Sequence, residues 1–346
     1  MKRLIIRADA STQTGSGHVM RCLALAQAWN DQGGETILVL AEQILALESK
    51  LIAEGITLVY LETTIGSDED AQQTASIANK YAASWVVVDG YQFGAKYQKE
   101  LKGFGLKILF LDDNGHAEHY FSDLVLNQNI SADINIYSSR EPYTQLLLGT
   151  EYTLLRRDFL KWREWKRLVI PNAYKILVTL GGSDPENVTL KVIQSLSLIQ
   201  NNNLDIVVVI GGTNPNYEQL TSFTKNSLLS ISLQINVGNM DELMAWADIA
   251  IAAGGSTNWE LAFMGLPIIV ITIADNQKAI AAELDRQGAI INLGWHQDVT
   301  IEQIGLVLRE LIGDRPKRET MSKKGRELVD GNGAKRVISK INSMSA

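Results

Sequence analysis

The sequence predicts an α/β protein with two domains, each built on a parallel β-sheet. Near-continuous apolar strands alternate with helical patterns at regular spacing, which is typical of parallel sheets covered on both faces. Several strands end in glycine-rich or acidic turns, and a parallel sheet collects such turns at one edge. The 346 residues are too many for one comfortable core and fit two domains of ordinary size.

Composition narrows the class of protein further. Apolar residues make up 46% of the chain and charged residues 21%, as in soluble globular proteins. The formal charge of −7 argues against a general nucleic-acid or anionic-membrane surface. The single cysteine, Cys22, excludes an intrachain disulfide and fits a reducing compartment. Because no signal peptide or span of about twenty apolar residues is evident, we expect a cytoplasmic protein without a membrane span.

The first element of interest is the glycine loop after the strand Leu4-Ile5-Ile6. Gly15 and Gly17 lie in this loop, and apolar residues at helical spacing follow, so the order is strand, loop, helix. This order places His18 at a helix start that points into the ligand crevice of an open sheet. The helix dipole disfavours imidazolium there, so His18 is either a neutral general base or a residue that fills the turn.

The strand and helix patterns continue through the first domain, and two later strands end in acids. The turns Asp89-Gly90-Tyr91 and Asp112-Asp113-Asn114-Gly115 should open into the same crevice as the glycine loop. His116 and His119 follow the second turn and could suggest a metal site, but the Asp/His spacing fits no tight ligand set, so a variable polar loop is favoured and no metal site is predicted. The pattern weakens over residues 121–165 and restarts at 176. We therefore expect domains at 1–165 and 172–330, with a closing helix in 331–346.

Three strands of the second domain end in paired glycines. In the first of these turns, Gly181-Gly182-Ser183, Ser183 is an expected N-cap and Glu186 would complete a capping box. The paired glycines also expose the backbone for close approach of a phosphate, so a cap and an anion site are both open.

Other turns of the second domain offer similar pairs of alternatives. Gly255, Ser256 and Thr257 precede Glu260, which is either a partner of Thr257 in a capping box or an acceptor for ribose hydroxyls. Asn276 and Gln277 are either helix caps or ligands for sugar hydroxyls, and Met240 follows an expected Asn239 N-cap. No zincin, α/β-hydrolase, P-loop or standard dinucleotide motif is present.

Taken together, these motifs resemble the UDP-2,4-diacetamido-2,4,6-trideoxy-β-L-altropyranose hydrolases of pseudaminic acid biosynthesis. The resemblance covers nearly the whole chain in the right order, and its specific element is Gly15-Ser16-Gly17-His18-Val19-Met20-Arg21-Cys22. Thr14 and Ser16 stand where isoleucine and threonine are expected. More distantly, the chain is similar to the GT-B glycosyltransferase that adds GlcNAc to lipid I.

This resemblance implies a GT-B-like fold, in which two Rossmann-like domains face each other across a cleft. It also implies inverting hydrolysis of the anomeric C–O bond to UDP and free sugar, with His18 activating water and no cofactor or metal. Glu260 would take the ribose hydroxyls, Met240 would lie beside the uracil, and Asn276 and Gln277 would meet the sugar or its phosphates. The expected substrate-binding residues are Asp9, Gly15, Gly17, Arg21, Tyr91, Gly182, Ser183, Met240, Gly255, Ser256, Thr257, Glu260, Asn276 and Gln277.

Two rival functions are open at this point. A GT-B glycosyltransferase would use the same UDP-sugar donor, but a lipid acceptor calls for an apolar, membrane-apposed patch flanked by Lys and Arg, and no such run is evident. A non-catalytic nucleotide-sugar sensor is the other rival, and a competent His18 argues against it. The sequence predicts a small-molecule UDP-sugar as partner and does not fix the oligomeric state.

Overall fold

A computed structural model describes residues 2–10, 17–43, 45–182, 184–199, 203–212 and 214–345. The chain divides into two compact units, Met1–Arg157 with Gly331–Ala346, and Asp158–Asp330. The division falls before the expected boundary between residues 165 and 172. The connecting segment is held in the second unit by hydrogen bonds, among them Trp162 Nε1 to Asp241 Oδ2 at 2.7 Å. The closing residues of the chain return to the first unit.

Within the described residues of the first unit, seven strands form one parallel sheet. The strands are β1 (Arg3–Ala8), β2 (Glu35–Leu40), β3 (Thr57–Tyr60), β4 (Trp85–Asp89), β5 (Lys107–Leu111), β6 (Leu124–Asn127) and β7 (Gln145–Leu148). Their order across the sheet is β3-β2-β1-β4-β5-β6-β7. The interior strands are mostly buried and apolar because both of their faces are covered, and Arg7, Asp89 and Asn127 are buried polar exceptions.

The described part of the second unit contains a parallel sheet of six strands. They are β8 (Lys175–Thr179), β9 (Asp205–Ile210), β10 (Ser230–Ile235), β11 (Ile249–Ala253), β12 (Ile268–Thr272) and β13 (Ile290–Trp295). Their order is β10-β9-β8-β11-β12-β13, which repeats the pattern of the first sheet with one strand fewer.

Helices connect most of the strands. In chain order they are α1 (Gly17–Asn30), α2 (Leu45–Ala53), α3 (Asp68–Lys80), α4 (Ala95–Gly103), α5 (Arg157–Leu160), α6 (Val188–Leu196), α7 (Tyr217–Lys225), α8 (Met240–Trp246), α9 (Thr257–Phe263), α10 (Lys278–Arg286), α11 (Ile301–Gly313), α12 (Arg315–Leu328) and α13 (Gly333–Ser345). Short 3₁₀ helices cover Ile134–Tyr137, Thr150–Tyr152 and Asp275–Gln277.

Apolar cores lie on both faces of the first sheet. On one face, α1 and the closing helix α13 pack together, with Leu23, Val337 and Ile338 in the same buried cluster. On the other face, Tyr97 of α4 and alanines of α3 pack against β4 and β5. The helix α13 therefore completes the core of the first unit, although it is the last element of the chain.

In each sheet the strand order reverses beside the first strand, between β1 and β4 and between β8 and β11. Ligands of open α/β sheets bind at such reversals, beyond the carboxyl ends of the strands. In the first unit Ala8 pairs with Asp89 there. The carboxyl end of β1 and the turn after β4 are thus brought together by the topology.

Candidate active site in the first unit

His18 lies at the start of α1, where the sequence places it. It is the second residue of the helix, after Gly17, and only 9% of its surface is exposed. Residues 11–16, including the predicted ligand Gly15, fall outside the described residues. The backbone N–H groups of a first helical turn lack partners inside the helix, so they favour an anion or a neutral ring beside them.

His18 is held by a buried carboxylate from the neighbouring strand β4. Its Nδ1 lies 2.6 Å from Oδ1 of Asp89, whose side chain is fully buried. Because a carboxylate only accepts hydrogen bonds, Nδ1 carries a proton in this contact. The hydrogen-bond network therefore assigns the tautomer in which Nε2 is the proton acceptor.

Asp89 is an anion surrounded by donors. Arg21 donates from Nε to Oδ2 and from Nη2 to Oδ1, each at 2.6 Å, and the Cys22 thiol approaches Oδ2 at 3.4 Å. Burial by itself would raise the pKa of Asp89, but the charge of Arg21, the interaction with His18 and their hydrogen bonds hold the pKa of Asp89 well below its usual range. The carboxylate is thus ionised at any physiological pH.

Arg21 reaches a second carboxylate on the next strand end. Its Nη1 donates to Oδ1 of Asp113 at 2.7 Å, and the Tyr91 hydroxyl donates to Oδ2 of the same residue at 3.1 Å. The Tyr91 ring stands edge-on to His18, with ring centroids 5.1 Å apart. One guanidinium therefore links the carboxylate that holds His18 to the carboxylate that anchors Tyr91. Arg21 was predicted to bind substrate, whereas in the structure its donors face carboxylates of its own chain.

Asp9, another predicted substrate contact, lies at the end of β1 with partners on both oxygens. Oδ2 accepts from Arg7 at 2.5 Å, and Oδ1 accepts from the backbone N–H groups of Ala41 at 2.7 Å and Glu42 at 3.2 Å. The guanidinium of Arg7 is itself fully buried and bonded twice to Asp70. Asp9 thereby joins the ends of β1 and β2.

A small cavity of about 20 Å³ is lined in part by His18. A polar cavity of this size has room for a water molecule. Glu42 and Gln92 contribute to its wall, and the sequence did not single them out. Its lining residues are Asp9, His18, Glu42, Ile65, Asp89, Gly90 and Gln92.

Two of the site residues could have been found from one signal. Asp89 is the last residue of β4 and Asp113 comes two residues after β5, and the sequence placed their turns in the crevice without giving either residue a role. The missing information is which strands are neighbours, because β1 lies between β2 and β4 rather than next to β3.

The predicted UDP-binding turns of the second unit

Gly181 and Gly182 follow β8, and both are exposed. Gly181 has a φ of +96°, a conformation that favours glycine. A Cβ atom built on Gly182 would meet no described atom within 4 Å, so the backbone is open to close approach there. The predicted ligand Ser183 lies outside the described residues.

The predicted capping box of Ser183 and Glu186 is wrong. The helix α6 begins only at Val188, and the carboxylate of Asp184 accepts from the N–H groups of Val188 at 2.9 Å and Thr189 at 2.8 Å. Asp184 has a φ of +38° and precedes a proline, which disfavours the helical conformation for that residue. The N-terminus of α6 is therefore filled by a carboxylate of the chain itself.

The turn between β11 and α9 leads into a helix whose N-cap side chain makes no capping hydrogen bond. Ser256 is the N-cap of α9 without a side-chain cap bond, and Thr257 is the first helical residue. The alternative in which Glu260 caps this helix together with Thr257 is thus not realised. Glu260 lies one turn into α9 and is half-buried, and Gly255 precedes the helix with part of its surface exposed.

Gln277 ties this glycine turn to the next strand. Its Oε1 accepts from the backbone N–H groups of Gly254 and Ile273, each at 3.1 Å. Its neighbour Asn276 is exposed on the same 3₁₀ helix. Met240, at the first position of α8, follows the N-cap Asn239 and is half-buried. The turns after β8, β11 and β12 lie side by side because these strands are neighbours.

The histidines of the acidic turn make local contacts. His116 Nδ1 lies 3.2 Å from Asp112 Oδ1, and His119 contacts Ser139 and Glu141. Among the residues that the structure describes, no group of three His, Cys, Asp or Glu side chains is arranged to hold a metal ion. None of the described helices is both long and apolar enough to cross a bilayer.

Comparison with known proteins first defines the class. The model of the glycosyltransferase family 28 C-terminal domain matches residues 176–340. Acinetobacter baumannii MurG has a TM-score of 0.66 at 17% identity, covering 99% of this chain and 100% of that one. The Staphylococcus aureus MnaA-UDP co-structure has a TM-score of 0.68 at 13% identity, covering 99% and 96%. With the two parallel sheets, these likenesses show a GT-B fold of two Rossmann-like domains.

Curated relatives then define the family. Spore coat polysaccharide biosynthesis protein SpsG of Bacillus subtilis is 32% identical over 232 residues, 66% of this chain and 67% of the relative. The UDP-2,4-diacetamido-2,4,6-trideoxy-β-L-altropyranose hydrolase of Campylobacter jejuni is 26% identical over 288 residues, 83% and 97%. An uncharacterized Methanocaldococcus jannaschii protein is 26% identical over 78% of this chain, which spans only 55% of that relative. The chain belongs to the family of SpsG, and it is similar over most of its length to the Campylobacter jejuni hydrolase.

Proposed function

We propose that the protein is an enzyme that hydrolyses UDP-2,4-diacetamido-2,4,6-trideoxy-β-L-altropyranose, or a closely related UDP-sugar, to UDP and the free sugar in pseudaminic acid biosynthesis. The observation that carries the proposal is the His18–Asp89 pair at the carboxyl edge of the first sheet, beside a cavity with room for water. The Campylobacter jejuni relative, 97% of which is covered by the match, is a hydrolase of this UDP-sugar and so supports the proposed substrate.

In this mechanism His18 is the general base. Nε2 takes a proton from a water molecule as the water oxygen bonds to the anomeric carbon, and the bond from that carbon to the UDP oxygen breaks. The electron pair of the broken bond leaves with UDP, and the attack from the opposite face inverts the anomeric centre. Asp89 keeps Nδ1 protonated and stabilises the imidazolium that forms, so Nε2 faces the water throughout.

UDP would bind to the second unit through the turns at the edge of its sheet. Backbone N–H groups near Gly182 and Gly255, with the hydroxyls of Ser256 and Thr257, are suited to stabilise charge on the departing pyrophosphate. We assign the ribose hydroxyls to Glu260. The remaining proposed contacts of this unit are Ser183, Met240 beside the uracil, and Asn276 and Gln277 toward the sugar or its phosphates.

In the first unit, Tyr91 and Asp9 are the proposed contacts to the sugar, together with the glycine loop that contains Gly15 and Gly17. Tyr91 is 38% exposed, which leaves part of its ring accessible beside His18. Asp9 lines the same cavity.

The test is release of UDP from the UDP-activated diacetamido sugar with neither acceptor nor metal added. The parent protein should release UDP, and His18→Gln should lower kcat by about 10²-fold or more, the usual contribution of a general base. His119→Gln is the matched control, because His119 is a partly exposed histidine of the same unit that contacts Ser139 and Glu141. Equal activity in the parent and His18→Gln would refute the role of His18.

The alternative is a GT-B glycosyltransferase, which the family 28 match to residues 176–340 also fits. A glycosyltransferase would consume the UDP-sugar slowly in water and rapidly with an acceptor. UDP release that depends strictly on an added acceptor would therefore favour this alternative over the hydrolase.

A further inference from the structure

We infer that Arg21 is a positioning residue of the active site and that it does not bind the substrate. A single guanidinium fixes Asp89, which holds the base, and Asp113, which anchors Tyr91. This role rests on the proposed function, in which His18 is the base.

The contacts of Arg21 use the fork geometry of the guanidinium. Nε and Nη2 donate to the two oxygens of Asp89 at 2.6 Å each, while Nη1 donates to Asp113 at 2.7 Å. Only 9% of the Arg21 side chain is exposed, so little of it is available to a ligand. A lysine has one point charge and no planar fork, and it cannot bridge two carboxylates in this way.

Through its hydrogen bond to Asp113, Arg21 also fixes Tyr91, whose ring packs against the imidazole of His18. Asp113 accepts from Tyr91 at 3.1 Å and from Asn129 Nδ2 at 3.1 Å. The Tyr91 ring lies at 83° to the His18 ring, with its centroid 5.1 Å away. His18 is therefore held at Nδ1 through Asp89 and along its ring through Tyr91, and both restraints begin at Arg21.

Arg21 also balances the charge around the base. An imidazole beside an uncompensated buried carboxylate is stabilised as imidazolium, which cannot accept a proton from water. The positive charge of Arg21, whose Nη2 lies 3.2 Å from His18 Nδ1, compensates the charge of Asp89 at this position. The other described titratable or charged groups at this site include Cys22, which faces Asp89, Arg7, which pairs with Asp9, and His116, which contacts Tyr91. The remaining ones are Glu42, Tyr91 and Asp113. Residues 11–16 contain no titratable side chain.

Loss of the Arg21 charge should therefore change how the reaction depends on pH. In Arg21→Met the acid limb of the kcat profile should move to higher pH by about 1–3 units, the usual effect of removing a nearby charge. Arg21→Lys keeps the charge but loses the bridge. The acid limb of the kcat profile of Arg21→Lys should stay near the parental pH, while kcat falls by about 10²-fold at all pH values, as expected for a displaced catalytic group.

The experiment measures kcat and KM against pH for the parent, both Arg21 variants and Arg318→Met. Arg318 is the matched control, a buried arginine of the other unit that donates to the carbonyls of Ile170 and Pro171 at 2.7 Å. We expect KM for the UDP-sugar to stay close to the parental value in both Arg21 variants. A rise of KM with unchanged kcat would make Arg21 a substrate ligand, and a loss that does not depend on pH in Arg21→Met would make it merely structural. Either result overturns the inference.

A second readout does not need the reaction. In the parent, the Nδ1 proton of His18 shared with Asp89 should give a low-field NMR signal, which should be lost or shifted in both Arg21 variants and kept in Arg318→Met. An unchanged signal in folded Arg21→Lys would overturn the inference even if the enzyme is active. If the parent releases no UDP while the signal responds as expected, the proposed function fails and the positioning role of Arg21 stands.

Discussion

An Asp89→Asn substitution removes one charge from the buried pair with His18 and changes the size of the side chain little. The carboxylate accepts from His18 Nδ1, twice from Arg21, and faces the Cys22 thiol. An asparagine has one accepting oxygen, and its amide group must point N–H donors at the donors of Arg21 or His18. The imidazole thus loses both its fixed tautomer and the anion that stabilises its protonated form.

The expected magnitudes follow from these contacts. Removing one partner of a buried ion pair costs about 3–5 kcal/mol, and Arg21 keeps Asp113, which places the loss of unfolding free energy near the lower end, about 3 kcal/mol. For catalysis we expect kcat to fall by about 10³-fold, equivalent to about 4 kcal/mol of transition-state stabilisation. The pKa of Asp89 is lower in the folded protein than in the unfolded chain. The ion pair therefore stops stabilising the parent as pH falls below about 4, and the free energy of unfolding of Asp89→Asn lacks this dependence on pH.

The assay combines UDP release with denaturant unfolding of the same preparations. Asp123→Asn is the matched control, since Asp123 is a buried carboxylate of the same unit that pairs with Lys102 at 2.8 Å, away from His18. The control should lose stability and keep its kcat. A folded Asp89→Asn protein with the parental kcat would refute the reasoning.

Three further perturbations test other parts of the structure. Glu260→Ala should weaken UDP binding by about 1–3 kcal/mol, the cost of losing a charged hydrogen bond, and calorimetry that gives the parental Kd would exclude its ribose role. Asp184→Ala should lower the free energy of unfolding by about 0.5–2 kcal/mol, because it removes the cap from two N–H groups of α6, and an unchanged denaturation midpoint would contradict this. Burial opposes protonation of His116, but its hydrogen bond and charge interaction with Asp112 outweigh burial and raise the pKa of His116. The interaction of His116 with Asp112 should therefore stabilise the parent fully below about pH 6.5, and this stabilisation should be lost as pH rises through the pKa of His116 in the folded protein. In His116→Asn the free energy of unfolding should lack this dependence on pH, and identical unfolding profiles for the parent and the variant would be inconsistent with the pair.

The fold class could be predicted because it depends on local patterns. Apolar runs such as Trp85–Asp89 and Ile249–Ala253 became fully buried strands, since parallel strands covered on both faces need no polar alternation. The order of the strands could not be predicted, because it depends on crossover connections rather than on the strands themselves.

The same limit applies to the candidate site. His18 was recognisable from the glycine loop before it, whereas Asp89 acquires its role only because β4 lies beside β1. The capping box at Ser183 failed for a different reason, since the left-handed conformations of Asp184 and Asn187 delay the start of α6. A capping pattern predicted from residue spacing alone does not show that residues before the helix adopt left-handed conformations.

The most direct test of water attack at the anomeric carbon is hydrolysis of the UDP-diacetamido sugar in ¹⁸O-labelled water, followed by mass spectrometry of the released UDP. Because the proposed step breaks the bond between the anomeric carbon and the phosphate oxygen, all oxygens of UDP should remain unlabelled and the new hydroxyl should reside on the sugar. Incorporation of ¹⁸O into UDP would show attack at phosphorus and would contradict the role given to His18.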